Sequence, residues 1–197
     1  GIDNAIDVAA GGNYTIVLKQ DGTVWATGYN GNGELGINNT ANQTTFVQVV
    51  DAEGTGTLSN IKSISAGANT TYAITTTGEM YEWGYNGYGQ LGIGDTANRI
   101  KPTKSNLQKI KQIAANEYST IALTEDGEIY GAGYNTEGEL GLGYNQEKVL
   151  KWGKVKDPNG TDDISNATQI ATGRYHIVVL TNNGKVYSAG YNNVYQL

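Results

Sequence analysis

The sequence predicts an all-β protein made of β-propeller blades, about four in this chain with the last one incomplete. One phrase recurs: "GYNGNGELG" at 28–36 returns as "GYNGYGQLG" at 84–92 and "GYNTEGELG" at 133–141, and begins again at Gly190 as "GYNNVYQL". Its glycines, Gly28, Gly84, Gly133 and Gly190, are 56, 49 and 57 residues apart. A period near fifty residues marks a repeat architecture. Between the phrases lie short segments rich in β-branched and aromatic residues, broken by turn dipeptides. Four short antiparallel strands in each such period form a propeller blade.

Each unit is justified strand by strand. A first apolar segment reads "IDVAA", "IKSISA", "IKQIAA" and "TQIAT". The second reads "YTIVL", "TYAIT", "STIAL" and "HIVVL", composition that strands prefer. Turns follow at Asp21-Gly22, Thr77-Gly78, Asp126-Gly127 and Asn183-Gly184. Asp-Gly and Asn-Gly tolerate the positive φ of a type I′ hairpin. A third strand leaves each turn, as "TVWAT", "EMYEW", "EIYGA" and "KVYSA". Fourth strands are expected at "FVQVV", "IKPTK" and "WGKVK". The stretch from Leu107 to Ala115 has a helical spacing of Leu107, Ile110 and Ile113, but its alignment with "IDVAA" and "IKSIS" assigns it to a strand. The second and third strands are apolar at both alternating positions, as in sheets covered on both faces. A single array over 1–197 is expected, with units of about 5–60, 61–109, 110–166 and 167–197.

The segment "LTEDGEIYGAGYNTEGELGLG" at 123–143 closely resembles the repeat of the regulator of chromosome condensation, the RCC1-type repeat. Trp83, Gly84, Asn86, Gly89, Gln90, Leu91, Gly92 and Gly94 match the later part of the family pattern, and the resemblance runs through all four units. It implies a propeller, typically closed with seven blades. The family's usual histidine position is read as Tyr14, Thr70, Tyr118 and Tyr175, with the lone His176 one place later. No element here matches the nucleotide-exchange activity of the founding member, and that activity does not travel with the fold.

A structural role accounts for most of the phrase. Gly28, Gly84, Gly92, Gly133 and Gly190 permit tight turns and close backbone approach. Asn30, Asn86, Asn135 and Asn192 can cap their own turns through a side-chain oxygen. Leu35, Leu91, Leu140 and Leu197 are expected to plug the space between blades. The residue before Leu alternates, with Glu34 and Glu139 in the first and third units and Gln90 and Gln196 in the others. The first and third units also share a long segment before the next unit, which suggests duplication in pairs. The two glutamates are expected to bond neighbouring blade backbone.

Tyr29, Tyr85, Tyr134 and Tyr191 follow the glycine in every copy. Tyrosine is a rigid, amphipathic contact residue favoured in binding surfaces. Placed alike on successive blades, the four form either a binding arc on one face or a set of rings stacked between blades.

Composition narrows the function classes. A net charge of −6 and a pI of about 4.7 argue against nucleic acid and anionic lipid. Lys101, Lys104, Lys109 and Lys111 share no regular face and read as solvated surface. The absence of cysteine excludes disulfides, zinc–thiolate sites and cysteine nucleophiles. No apolar run approaches the ~18 residues of a membrane-spanning helix. No signal peptide is visible, which for a chain beginning at Gly1 leaves both compartments open. Asn-x-Ser/Thr triplets at Asn13, Asn38, Asn42, Asn69, Asn159 and Asn166 are expected by chance in so Asn- and Thr-rich a chain.

Little of the chain reads as chemistry. One histidine rules out a two-histidine metal site, and His176 lies in an apolar strand, where a packed role is expected. Asp157, Asn159, Thr161 and Asp163 are spaced like calcium ligands, but the sixth-place glycine and distant bidentate glutamate are missing. An exposed acidic turn, and no cofactor, is the expectation. A non-catalytic module binding a protein or glycan, secreted or on a cell surface, follows from these features. The alternatives are a self-assembling structural subunit and an enzyme inhibitor acting through a propeller face. Because an open array exposes its end blades, a homo-oligomer or part of a longer chain is expected.

Overall fold

The computed structural model describes all residues from Gly1 to Leu197. Its fifteen strands form four antiparallel sheets in sequence order, three of four strands and a last one of three. Contacts divide the chain into two compact units, Gly1–Asn86 with Ala97–Gln108, and Gly87–Thr96 with Lys109–Leu197.

The first unit holds two blades. One comprises β1 (Ala5–Ala10), β2 (Tyr14–Lys19), β3 (Val24–Gly28) and β4 (Gln43–Gln48); the other β5 (Ile61–Ala66), β6 (Thr70–Thr75), β7 (Met80–Gly84) and β8 (Arg99–Lys104). Their shared core gathers Ile16, Leu18, Val24, Ala26, Leu35, Ala73 and Trp83, all fully buried. Tyr14 ties the two blades together: its buried hydroxyl donates to the Thr70 carbonyl at 2.5 Å and lies 3.1 Å from Thr71 Oγ1. Burial pushes the titration of that phenol far up.

The second unit repeats the plan. Its blades are β9 (Ile110–Ala115), β10 (Ser119–Thr124), β11 (Ile129–Asn135) and β12 (Gln146–Lys154), then β13 (Ala167–Thr172), β14 (His176–Thr181) and β15 (Val186–Gly190). Ile121, Leu123, Ile129, Leu140, Ile177 and Val179 make its core. The amide of Gln112 joins the blades, donating to the Ile170 carbonyl at 2.9 Å and accepting from Ile170 N–H at 3.2 Å. Every residue of β6 and of β10 is buried, as their two-sided apolar pattern requires. Ile110 to Ala115 is a strand despite its helical spacing, because each strand buries its apolar residues against the neighbouring strand's pattern.

Three local expectations are corrected. In each hairpin only the glycine has positive φ, from 78° at Gly22 to 82° at Gly78 and Gly127. Gly22 N–H donates to the Lys19 carbonyl and Lys19 N–H to Thr23, and the bonds recur at Gly78, Gly127 and Gly184. These are three-residue loops with a left-handed glycine, not type I′ turns, which need positive φ at two residues. The fourth strands also start earlier than "FVQVV" and "WGKVK" suggest, at Gln43 and Gln146. They begin opposite the phrase, with Gln43 facing Gly28 and Gln146 facing Asn135, so the phrase sets their start.

The third correction is one of register. Tyr14 faces Gly28, Thr70 faces Gly84, Ser119 faces Gly133 and His176 faces Gly190. His176 therefore occupies the position of Tyr14, and Ser119 the third copy of it. Tyr118 and Tyr175 stand one residue earlier, where the first unit carries Asn13 and Asn69. The rings of Tyr14 and His176 lie against Gly11 and Gly173 respectively, each where a Cβ would clash. That contact gives the lone histidine a packing role at the head of its strand.

Candidate functional site

The repeated phrase is a self-capped turn. Asn30 Oδ1 accepts the N–H of Leu35 at 2.9 Å, Asn135 that of Leu140 at 2.9 Å, and Asn192 that of Leu197 at 3.1 Å. Their amide nitrogens brace the following loop: Asn30 Nδ2 donates to Asn39, Asn86 Nδ2 to Ala97, and Asn135 Nδ2 to Tyr144. Leu35, Leu91 and Leu140 are fully buried, whereas Leu197 is exposed. The phrase glycine is required by geometry. Gly133 has φ of 109°, and a Cβ there would lie 2.8 Å from the Ser119 Cα, because Tyr134 N–H donates to the Tyr118 carbonyl directly alongside.

The alternation of Glu and Gln has a single explanation. An oxygen of each accepts the backbone N–H two residues upstream: Glu34 from Asn32, Gln90 from Tyr88, Glu139 from Glu137, and Gln196 from Val194, at 2.7–3.1 Å. Both side chains offer that oxygen, so the repeat accepts either. The glutamates thus bond their own turn, not the neighbouring blade's backbone; of the four, Gln90 reaches out, donating from Nε2 to the Glu117 carbonyl. Burial raises the titration of Glu139, whose Oε1 has no hydrogen-bond partner.

Asp157, Asn159, Thr161 and Asp163 lie in one exposed turn. Asp157 Oδ1 accepts the N–H groups of Thr161 and Asp162, and Asp163 pairs with Lys156 at 2.7 Å. These oxygens are engaged in holding the loop closed.

The tyrosines gather in the second unit. A cavity of about 400 Å³ is walled by Tyr88, Tyr118, Tyr134, Glu137, Tyr175 and Tyr191. Tyr134 and Tyr191 follow the phrase glycine in successive blades, whereas Tyr29 and Tyr85 belong to the first unit and are not among its walls. Tyr88 meets Tyr118 and Tyr134 edge-to-face, with centroids 5.3 and 5.5 Å apart. Tyr118 and Tyr175 are nearly parallel at 6.1 Å, and Tyr175 meets Tyr191 at 6.3 Å. Such spacings fall in the range of favourable aromatic pairs.

Charges ring the cavity. The Arg174 guanidinium stands 5.8 Å from the Tyr118 centroid and 5.2 Å from that of Tyr175. It is anchored by Glu117 at 3.2 Å. Lys148 Nζ lies 5.4 Å from the Tyr88 ring. Tyr88, Tyr118, Tyr175 and Arg174 escape a reading based on the repeat, because they stand where other copies carry different residues. Asn32 replaces Tyr88, and Asn13 and Asn69 replace Tyr118 and Tyr175. Their signal is the clustering of aromatics at these departures in one half of the chain.

Comparison with known proteins agrees with this architecture. The model of the RCC1-like domain matches residues 2–197. The ultraviolet-B receptor UVR8 of Arabidopsis thaliana is 31% identical over 195 residues, covering 96% of this chain and 42% of the receptor. The X-linked retinitis pigmentosa GTPase regulator of Mus musculus is 42% identical over 94 residues, which is 48% of this chain and 9% of that protein. Among solved structures, the complex of Kap60 with yeast RCC1 (Prp20) matches with a TM-score of 0.79 at 25% identity, over 97% of this chain and 44% of that one. Human WBSCR16 gives a TM-score of 0.78 at 20% identity, over 97% of this chain and 49% of the other, a likeness of fold alone. The chain spans less than half the length of these relatives. Its matched domain, blade order and repeated phrase together place it in the RCC1-like domain family.

Proposed function

We propose that this chain is a non-catalytic protein-interaction module, and that it docks its partner on the tyrosine-walled cavity of the second unit. The observation that carries the reading is the convergence of five tyrosines on one cavity, three of them outside the phrase position that is tyrosine in all four copies. Tyrosine supplies large contact area at low entropic cost, and its hydroxyl keeps an unoccupied surface wet. The family context agrees: yeast RCC1 (Prp20), to which this chain is similar, is bound to Kap60 in its structure. The one histidine and the phrase carboxylates have structural positions, which supports a binding role over an enzymatic one. A setting outside the cell is part of the proposal and rests on composition.

Affinity capture from a native extract tests this reading. Wild type is compared with Tyr134→Ala/Tyr175→Ala and with a surface control, Tyr144→Ala, at matched melting temperature. Proteins lost from the double variant and kept by the control support the cavity. Identical captures from all three would overturn it.

A second reading, association with further blades, is favoured by Val8 and Val186. Val8 is 68% exposed, whereas Ile113 and Ile170 at the same blade position are 8% and 3% exposed. Val186, on the last strand, is 62% exposed. Light scattering at micromolar concentration tests it: growth in mass supports association, and a strict monomer opposes it.

A further inference from the structure

We propose that the tyrosine-walled cavity captures a cationic side chain, a lysine or arginine presented by the partner protein, with the Glu137 carboxylate as its counter-ion. This inference rests on the docking reading above and names the chemistry of what docks.

Three observations lead to it. First, the walls are five aromatic rings and one carboxylate, with no aliphatic side chain among them. A ring face is the negative pole of the aromatic quadrupole, so cations are drawn to it. Second, the chain already uses these rings in that way. Arg174 stands over Tyr118 and Tyr175, and Lys148 over Tyr88. Tyr134 and Tyr191 carry no cation of their own. Third, the charges do not balance at the wall. Glu117 is neutralised by Arg174, whereas the exposed Glu137 carboxylate faces the cavity without an ion pair. An incoming cation would find two rings that carry no cation, Tyr134 and Tyr191, and a free counter-charge.

Size and charge agree. About 400 Å³ lies within the ~300–1,000 Å³ of small-ligand sites and has room for one long side chain. The net charge of −6 favours the approach of a basic segment. A neutral sugar could stack on the same rings, but it would leave Glu137 unpaired; glycan binding is therefore an outcome of the test.

The experiment titrates the full chain with tetramethylammonium and with Nα-acetyl-lysine methylamide. Neopentyl alcohol and Nα-acetyl-norleucine methylamide serve as neutral counterparts. Tyrosine ring resonances are the readout. The cations should bind at least about fivefold tighter than their neutral counterparts. Glu137→Gln, a change at an exposed side chain, should weaken them severalfold without altering the melting temperature. Tyr134→Phe should keep the binding and Tyr134→Ala should lose it, because the ring face and not the hydroxyl is used. Equal affinity for the neutral probes, or no effect of Glu137→Gln, would overturn the inference, as would a neutral oligosaccharide shifting rings that the cations leave unmoved. Failure of the cation arms while Tyr134→Ala still loses the captured protein overturns this inference alone. Capture unaffected by Tyr134→Ala overturns the docking reading beneath it.

Discussion

The indole of Trp83 donates from Nε1 to the carbonyl of Glu34 at 2.8 Å, joining two blades through residues 49 positions apart in sequence. The Thr71 hydroxyl donates to the same oxygen at 2.8 Å. The contact shows how one repeat depends on the next: the carbonyl comes from the phrase of one blade, and both donors come from strands of its neighbour.

Trp83→Phe is expected to destabilise the chain by about 2–3 kcal/mol, through a lost buried hydrogen bond and a cavity against Leu35 and Gly36. Thr71→Val, which replaces only the hydroxyl by a methyl, should cost about 1 kcal/mol. Urea denaturation measures both. A smaller loss for Trp83→Phe than for Thr71→Val would contradict this account of the blade contact.

Glu82 is wholly buried in β7, and neither carboxylate oxygen has a hydrogen-bond partner. Burial pushes its titration well above the ordinary glutamate range; the nearby Ser105 hydroxyl and Arg99 charge oppose this without offsetting it. The folded chain therefore holds a proton that the unfolded chain releases. Stability from this group is full below the unfolded pKa, declines above it by at most about 1.4 kcal/mol per pH unit, and levels off past the folded pKa. Glu82→Gln should remove that decline and be more stable than wild type at pH 7. Parallel pH profiles of wild type and variant would refute the assignment.

Glu139 supplies an acceptor oxygen to Glu137 N–H, and its equivalents Gln90 and Gln196 do the same for their turns. Glu139→Gln should be neutral or slightly stabilising at pH 7, since it keeps the oxygen and removes a buried charge. Glu139→Leu should cost about 1–3 kcal/mol by orphaning the donor. Thermal melts of the pair decide the matter; equal losses would mean that the oxygen is not what the repeat preserves.

Gly92 has φ of 66°, and a Cβ there would meet the Trp152 indole Nε1. Gly92→Val is expected to cost several kcal/mol, from the left-handed backbone and the clash together. A melting temperature near wild type would remove the structural reading of the phrase glycines.

Much of this was legible in the sequence, because repetition averages out local ambiguity. The segment from Leu107 to Ala115 has a helix-like spacing, and only its alignment with "IDVAA" and "IKSIS" assigns it to β9. The caps by Asn30 and Asn135 could be foreseen from residue chemistry, and the burial of Leu35 and Leu140 from their repetition. Turn type was less accessible: Asp-Gly fits both a two-residue and a three-residue hairpin, and the difference lies in the φ of Asp21, not in its identity. The histidine register is ambiguous by one residue in the second unit because "NEY" and "GRY" place a tyrosine beside the true position, which strand pairing puts at Ser119 and His176, opposite Gly133 and Gly190. The cavity was the least legible. The repeat drew attention to Tyr29, Tyr85, Tyr134 and Tyr191, whereas Tyr88, Tyr118 and Tyr175 are departures from the repeat, and only the fold brings them together.

The central claim, that the tyrosine cavity is where this chain meets its partner, is tested most directly by site-specific photo-crosslinking. A benzophenone side chain is placed at position 134 in the cavity wall and, as a control, at exposed position 147. Adduct with the captured protein should form from position 134, be suppressed by Tyr175→Ala, and be weak or missing from position 147. Equal adduct from both positions, or adduct from position 147 alone, would contradict the claim.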